Sequence, residues 1–96
     1  MPRLLTAEEI SRQLADLPAW TEVAGKSEIT ATYELVDFAA AMAFVNQVAL
    51  EAEQMDHHPD IDIRWNQVTL ALATHSEGGL TQLDIELAHR IATLAP

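Results

Sequence analysis

The side chains best suited to moving protons gather in two stretches, EQMDHHPDIDIRW at 53–65 and THSEGGLTQLD at 74–84. Together they hold three of the four histidines: His57, His58 and His75. Imidazole ordinarily titrates near ~6.5, so close to neutral pH it can give or take a proton. Glu53 stands four residues before His57, on the same face if a helix persists that far, where a carboxylate would orient the ring. Pro59 holds His58 in extended backbone. The chemistry these types suggest is general acid–base catalysis. One histidine alone would be read as structural; three that converge are harder to read so. Imidazole also binds zinc, but the chain has no H-x-H, no H-E-x-x-H and no cysteine, and adjacent histidines in extended chain point to opposite faces. There is no G-x-S-x-G nucleophile motif, and EGGL at 77–80 is too short and lacks the base of a phosphate loop.

The elements that must position these residues can be read from caps and periodicity. TAEE at 6–9 is a capping box that opens a helix with Ile10, Leu14 and Leu17 on one face, stopped by Pro18. WTEV, a turn at AGKS and EITATYEL form a hairpin over 20–35, in which Ile29, Ala31, Tyr33 and Leu35 alternate with polar residues. Asp37 caps a long Ala-rich helix to about Met55 or Asp56, with Phe38, Met42, Val45, Ala49 and Ala52 as its buried stripe. DIDIRW at 60–65 is a third strand, with Ile61, Ile63 and Trp65 facing the core. VTLALATH at 68–75 is a fourth, with Val68, Leu70 and Leu72 facing in. Gly78 or Gly79 supplies a positive φ in the SEGG loop. Thr81 caps a last helix carrying Leu83, Leu87, Ile91 and Leu94, and Asp84 in its first turn suits the helix dipole. The order α-β-β-α-β-β-α predicts one α+β domain over 1–96, a four-stranded antiparallel sheet with three helices packed on one face.

With Asn66-Gln67 as a two-residue turn, Trp65 faces Val68, Ile63 faces Leu70 and Ile61 faces Leu72, apolar against apolar. Extended, that register sets His58 opposite His75, where paired Cβ atoms lie ~5 Å apart. The expected result is a cluster of Glu53, His57, His58 and His75 where a helix end meets a strand end.

Composition narrows the partners. In 96 residues, fifteen acids against five dispersed bases give a net charge of -10, which repels phosphate backbones and anionic membranes. Nucleic acid and membrane are therefore not expected as partners. No apolar run is long enough to span a bilayer and no signal-peptide pattern is visible, so the cytoplasm is the expected location.

The spaced set Glu53, His57-His58-Pro59, Trp65, His75 and Asp84 resembles the signature of the pterin-4a-carbinolamine dehydratases, and all seven positions are filled. Length and element order resemble that family along nearly the whole chain. The resemblance implies a lyase that dehydrates 4a-hydroxytetrahydrobiopterin to quinonoid dihydrobiopterin, recycling the pterin cofactor of aromatic amino-acid hydroxylases, without metal or organic cofactor. It implies catalysis by His57, His58 and His75. It also implies a pterin site lined by Glu53, His57, His58 and Pro59 and by Thr74, His75, Ser76 and Glu77. On that reading His58 and His75 flank the 4a-carbon, one as acid and one as base, and Glu53 tunes His57. Family members form homodimers and homotetramers through sheet edges and helices, and residues 28–35 offer a strand for such pairing. Some animal relatives bind a homeodomain transcription factor, so the alternative is a non-catalytic dimerisation or binding module on the same fold.

Overall fold

The computed structural model describes residues 2–96. Its elements are α1 (Ala7–Leu14), β1 (Thr21–Val23), β2 (Glu28–Glu34), α2 (Phe38–Met55), β3 (Asp60–Arg64), β4 (Gln67–Leu72), a 3₁₀ turn (His75–Glu77) and α3 (Gln82–Leu94). The order is the expected one, and the sheet is antiparallel with strands arranged β1-β2-β4-β3. Ile29, Ala31, Val68, Leu70 and Leu72 are buried on one sheet face, while the alternate residues Thr30, Thr32, Thr69 and Ala71 stay partly or fully exposed. The buried face joins Ile10 and Leu17, Ala41, Phe44, Val48 and Ala52 of α2, and Ile85, Leu87, Ala88 and Ile91 of α3 in a single core. Burying each Val, Leu or Ile of this set contributes about 1.5–3 kcal/mol.

Local signals hold. Thr6 and Glu9 form the capping box, and Asp37 Oδ1 accepts from the Ala40 N–H at 2.8 Å. Arg3 grips Glu9 through two hydrogen bonds; with the Thr6 N–H, they hold the Glu9 carboxyl down at about 2. Gly78 takes the positive φ, 75°. Pro18 is not what stops α1: the helix ends at Leu14, and two further turn bonds bring Leu17 into the core.

Three expectations need correction. The β3–β4 turn falls on Trp65-Asn66, so Ile63 pairs with Val68 and Ile61 with Leu70. Asn66 is pinned there by exchanging hydrogen bonds with Leu35, its carbonyl accepting from the Leu35 N–H and its side-chain amide donating to the Leu35 carbonyl. A shift of two residues keeps every side chain on its face, so apolar pairing could not separate the two registers. Trp65 consequently leaves the core: it is 66% exposed and sits at φ 50°. The α2 stripe is also rotated. Ala41, Phe44, Val48 and Ala52 are buried, Phe38 is 50% exposed, Ala49 is exposed, and Met42 and Val45 lie half-buried. Both stripes have helical spacing on an apolar helix; contact decides, with Phe44 meeting Tyr33 edge-on at 5.3 Å between ring centres. The strand offered for pairing, β2, lies between two neighbours only at its start. Its first residues pair with β1 and its length with β4, and among the described residues no strand pairs with Ala31–Glu34 on the β1 side.

The end of α2 aims the first histidine stretch. Asp56 adopts the left-handed conformation at φ 50°, and the His57 N–H reaches back to the Ala52 carbonyl at 3.1 Å, the long closing bond of a Schellman-type stop. The chain thereby reverses and delivers His57 inward. Left-handed backbone costs an ordinary L-residue about 1–2 kcal/mol, less for Asp and nothing for Gly. Asp56→Val is therefore expected to lower stability by about 1–2 kcal/mol in urea unfolding, whereas Asp56→Gly leaves it unchanged or raised.

Candidate active site

The predicted cluster does not form by the pairing the sequence suggested. Carried past Asp60↔Ala71, the observed ladder sets His57, not His58, level with the strand that leads to the second stretch, opposite Thr74. The carboxylate partners are exchanged too. Glu53 Oε2 lies 2.5 Å from His58 Nε2, and His57 Nε2 lies 2.6 Å from Asp84 Oδ1. The αL residue Asp56 explains the exchange: it ends the helix before His57, so the spacing of Glu53 and His57 no longer places them on one face.

The two pairs differ in setting. His58 and Glu53 are exposed, with 54% and 74% of their side chains accessible. His57 is 8% exposed and Asp84 is wholly buried. The Asp84 carboxylate is satisfied on both oxygens. Its Oδ2 accepts from the Thr81 N–H at 2.9 Å and the Thr74 hydroxyl at 2.8 Å, while Oδ1 meets His57. Thr74 and Thr81 hydroxyls also lie 2.7 Å apart. Each chain segment supplies its donor for a local reason: Thr81 is the N-cap of α3, Thr74 follows β4, and His57 follows the α2 stop.

Asp84 thus does more than complement the helix dipole. The spacing Thr81-x-x-Asp84 is itself a capping box, and that signal could have marked Asp84 as turned inward toward Thr81. The remaining predicted residues lie outside this buried network or only border it. His75 and Ser76 are exposed at the start of the 3₁₀ turn, Glu77 and Pro59 are half-buried, and Thr74 carries the His75 backbone next to the buried carboxylate. Thr74 bonds Gly79 in both directions across this turn, closing it. No hydrogen bond links His75 to His57 or His58 among the described residues. Nor do three His, Asp or Glu side chains there gather closely enough to hold a metal ion. A groove of about 310 Å³ lies elsewhere, between Leu35, Ala43 and Phe44 and the C-terminal Leu94 and Pro96, and no histidine lines it. Of the three histidines, His57 is buried and held by a carboxylate, and His58 and His75 are exposed.

Removing a buried partner strands its donors, while removing an exposed one does not. Asp84→Ala is expected to cost about 3 kcal/mol or more, a fall of over ~10 °C in Tm for a chain this size. His58→Ala is expected to cost under about 1 kcal/mol. Thermal unfolding of the two variants checks the contrast.

A family model, Pterin 4 alpha carbinolamine dehydratase, matches residues 3–94. A protein of Thermosynechococcus vestitus is 47% identical over 95 residues, spanning 99% of this chain and 98% of its own, and one of Acidobacterium capsulatum is 54% identical over 90 residues, spanning 94% and 96%. Both carry the provisional name pterin-4-alpha-carbinolamine dehydratase. The crystal structure of a transcriptional coactivator/pterin dehydratase from Brucella melitensis superposes with a TM-score of 0.94 at 40% identity, covering 98% of this chain and 100% of that one. A pterin dehydratase-like RuBisCO assembly factor of the alpha-carboxysome shares the fold, with a TM-score of 0.68 at 22% identity over 80% of this chain and 89% of its own. With a match spanning almost every residue and relatives at about half identity, this chain belongs to the pterin-4-alpha-carbinolamine dehydratase family.

Proposed function

We propose that the protein dehydrates 4a-hydroxytetrahydrobiopterin to quinonoid dihydrobiopterin by histidine acid–base catalysis. One observation carries the reading: in a chain of this family, both histidine stretches are tied to the same buried carboxylate, Asp84. The 4a-hydroxyl leaves poorly as hydroxide. One imidazole protonates it as the C4a–O bond breaks and water departs; another takes the N5 proton as the C=N bond forms. His57, His58 and His75 supply these groups, and Glu53 orients His58. Proton transfer by a positioned side chain is worth ~10²- to 10⁴-fold. Pro59, Thr74, Ser76 and Glu77 complete the rim against which the pterin rests, main-chain groups of the turn meeting its amide-like edge. The substrate is supplied by a tetrahydropterin-dependent aromatic amino-acid hydroxylase, and the work belongs in the cytoplasm. The strand-free side of Ala31–Glu34 and the half-exposed Phe38 support a homodimer or homotetramer, which light scattering would read as a multiple of the chain mass.

A second reading, a binding module without activity, draws support from two structural relatives, one named a transcriptional coactivator as well as a pterin dehydratase and the other a RuBisCO assembly factor. The two are separated by adding the purified protein to a hydroxylase reaction and following quinonoid dihydropterin. Acceleration over the spontaneous rate, falling at least ~10²-fold in one or more of the His57→Ala, His58→Ala and His75→Ala variants, is expected. No acceleration by the unaltered protein would leave the binding module as the better reading.

A further inference from the structure

The hydrogen bonds around Asp84 have only one consistent direction. Thr81 Oγ1 accepts from the Leu83 N–H at 3.3 Å, so its own proton is free to go to Thr74 Oγ1. The Thr74 proton goes to Asp84 Oδ2, where the Thr81 N–H also donates. Oδ2 is therefore fully used as an acceptor, and a proton shared between Asp84 and His57 can lie only on the 2.6 Å line from Oδ1 to Nε2. A carboxylate can only accept, so that proton belongs to Nε2. Among the described residues the opposite ring nitrogen, Nδ1, has no hydrogen-bond partner. Yet among the described residues no fully buried side-chain nitrogen or oxygen lacks one. Nδ1 is accordingly the atom through which His57 reaches the outside.

We propose that Asp84 is a positioning residue that fixes His57 in the Nε2–H tautomer, so that the bare Nδ1 faces the ligand site as a proton acceptor. The donor pattern set by one ring nitrogen decides what the other can do. This assigns His57 the base role within the dehydratase reading, on which it rests for the identity of the proton taken. The tautomer itself does not depend on any ligand.

The geometry also says what a near-isosteric change would do. In Asp84→Asn the amide oxygen must face Thr81 N–H and Thr74 O–H, since an NH₂ there would oppose a fixed donor. The NH₂ then faces His57 Nε2, which must accept, and the neutral ring carries its proton on Nδ1. The outward atom changes from acceptor to donor, the wrong tautomer for a base.

The test is ¹⁵N NMR of the ring nitrogens of His57 in the ligand-free protein at mildly alkaline pH. The unaltered chain is expected to show a protonated, pyrrole-type Nε2 and a bare, pyridine-type Nδ1. Asp84→Asn is expected to exchange the two signals and to lose ~10²-fold or more of dehydration. Thr74→Val, which leaves the Thr81 N–H on Oδ2, is expected to keep the original pattern. A pyrrole-type Nδ1 in the unaltered protein overturns the proposal even if Asp84→Asn does not fold, and so does an Asp84→Asn spectrum identical to the original. Since the spectrum needs no pterin, the expected tautomer in a protein that dehydrates nothing would sink the dehydratase reading and leave the tautomer assignment standing.

Discussion

A buried carboxylate is costly unless donors surround it, and the site of this protein is organised by meeting that cost at Asp84. Its donors come from the end of α2, the end of β4 and the start of α3. Strand pairing brings these segments near one another, through Asp60 and Ala71 and through Thr74 and Gly79. The need to satisfy both oxygens locks them together, and the two histidine stretches come with them. Fully satisfied, such a network specifies a single arrangement; with one member gone, it leaves donors buried without partners.

The contrast between the two imidazole–carboxylate pairs follows from the same physics. The bond between His58 and Glu53 lies in water, where charges are screened and long side chains lose freedom to hold one geometry. The bond between His57 and Asp84 lies in the protein interior, where direction and distance persist. The first pair is free to rearrange at the surface. The second is a fixed part of the interior.

What could be read from the chain alone was whatever depends on near neighbours. The Thr6–Glu9 box, the Asp37 and Thr81 caps, the Gly78 turn and the inward set Val68, Leu70 and Leu72 each follow from residues within a few positions. What was misread depends on contacts between distant segments, or on patterns with two equal solutions. The β3–β4 register hinged on Asn66 bonding to Leu35 across the sheet, and the α2 face on Phe44 meeting Tyr33. In the structure His57 and His58 follow the end of α2 and His75 follows the end of β4. Their partners were not the expected ones, because one left-handed residue, Asp56, separates Glu53 from His57.

The N-terminal segment closes this arrangement from behind. Leu5 donates its N–H to the Leu80 carbonyl, Leu4 bridges to Thr81, and the side-chain amides of Gln13 and Gln82 bond reciprocally. These contacts tie two segments that lie far apart in sequence, a loop closure whose entropy cost the fold must meet. The turn that carries Thr81, and with it the cap of α3, is therefore held in place only when the segment around Leu4 and Leu5 docks on it, whereas the sheet and α2 rest on contacts of their own.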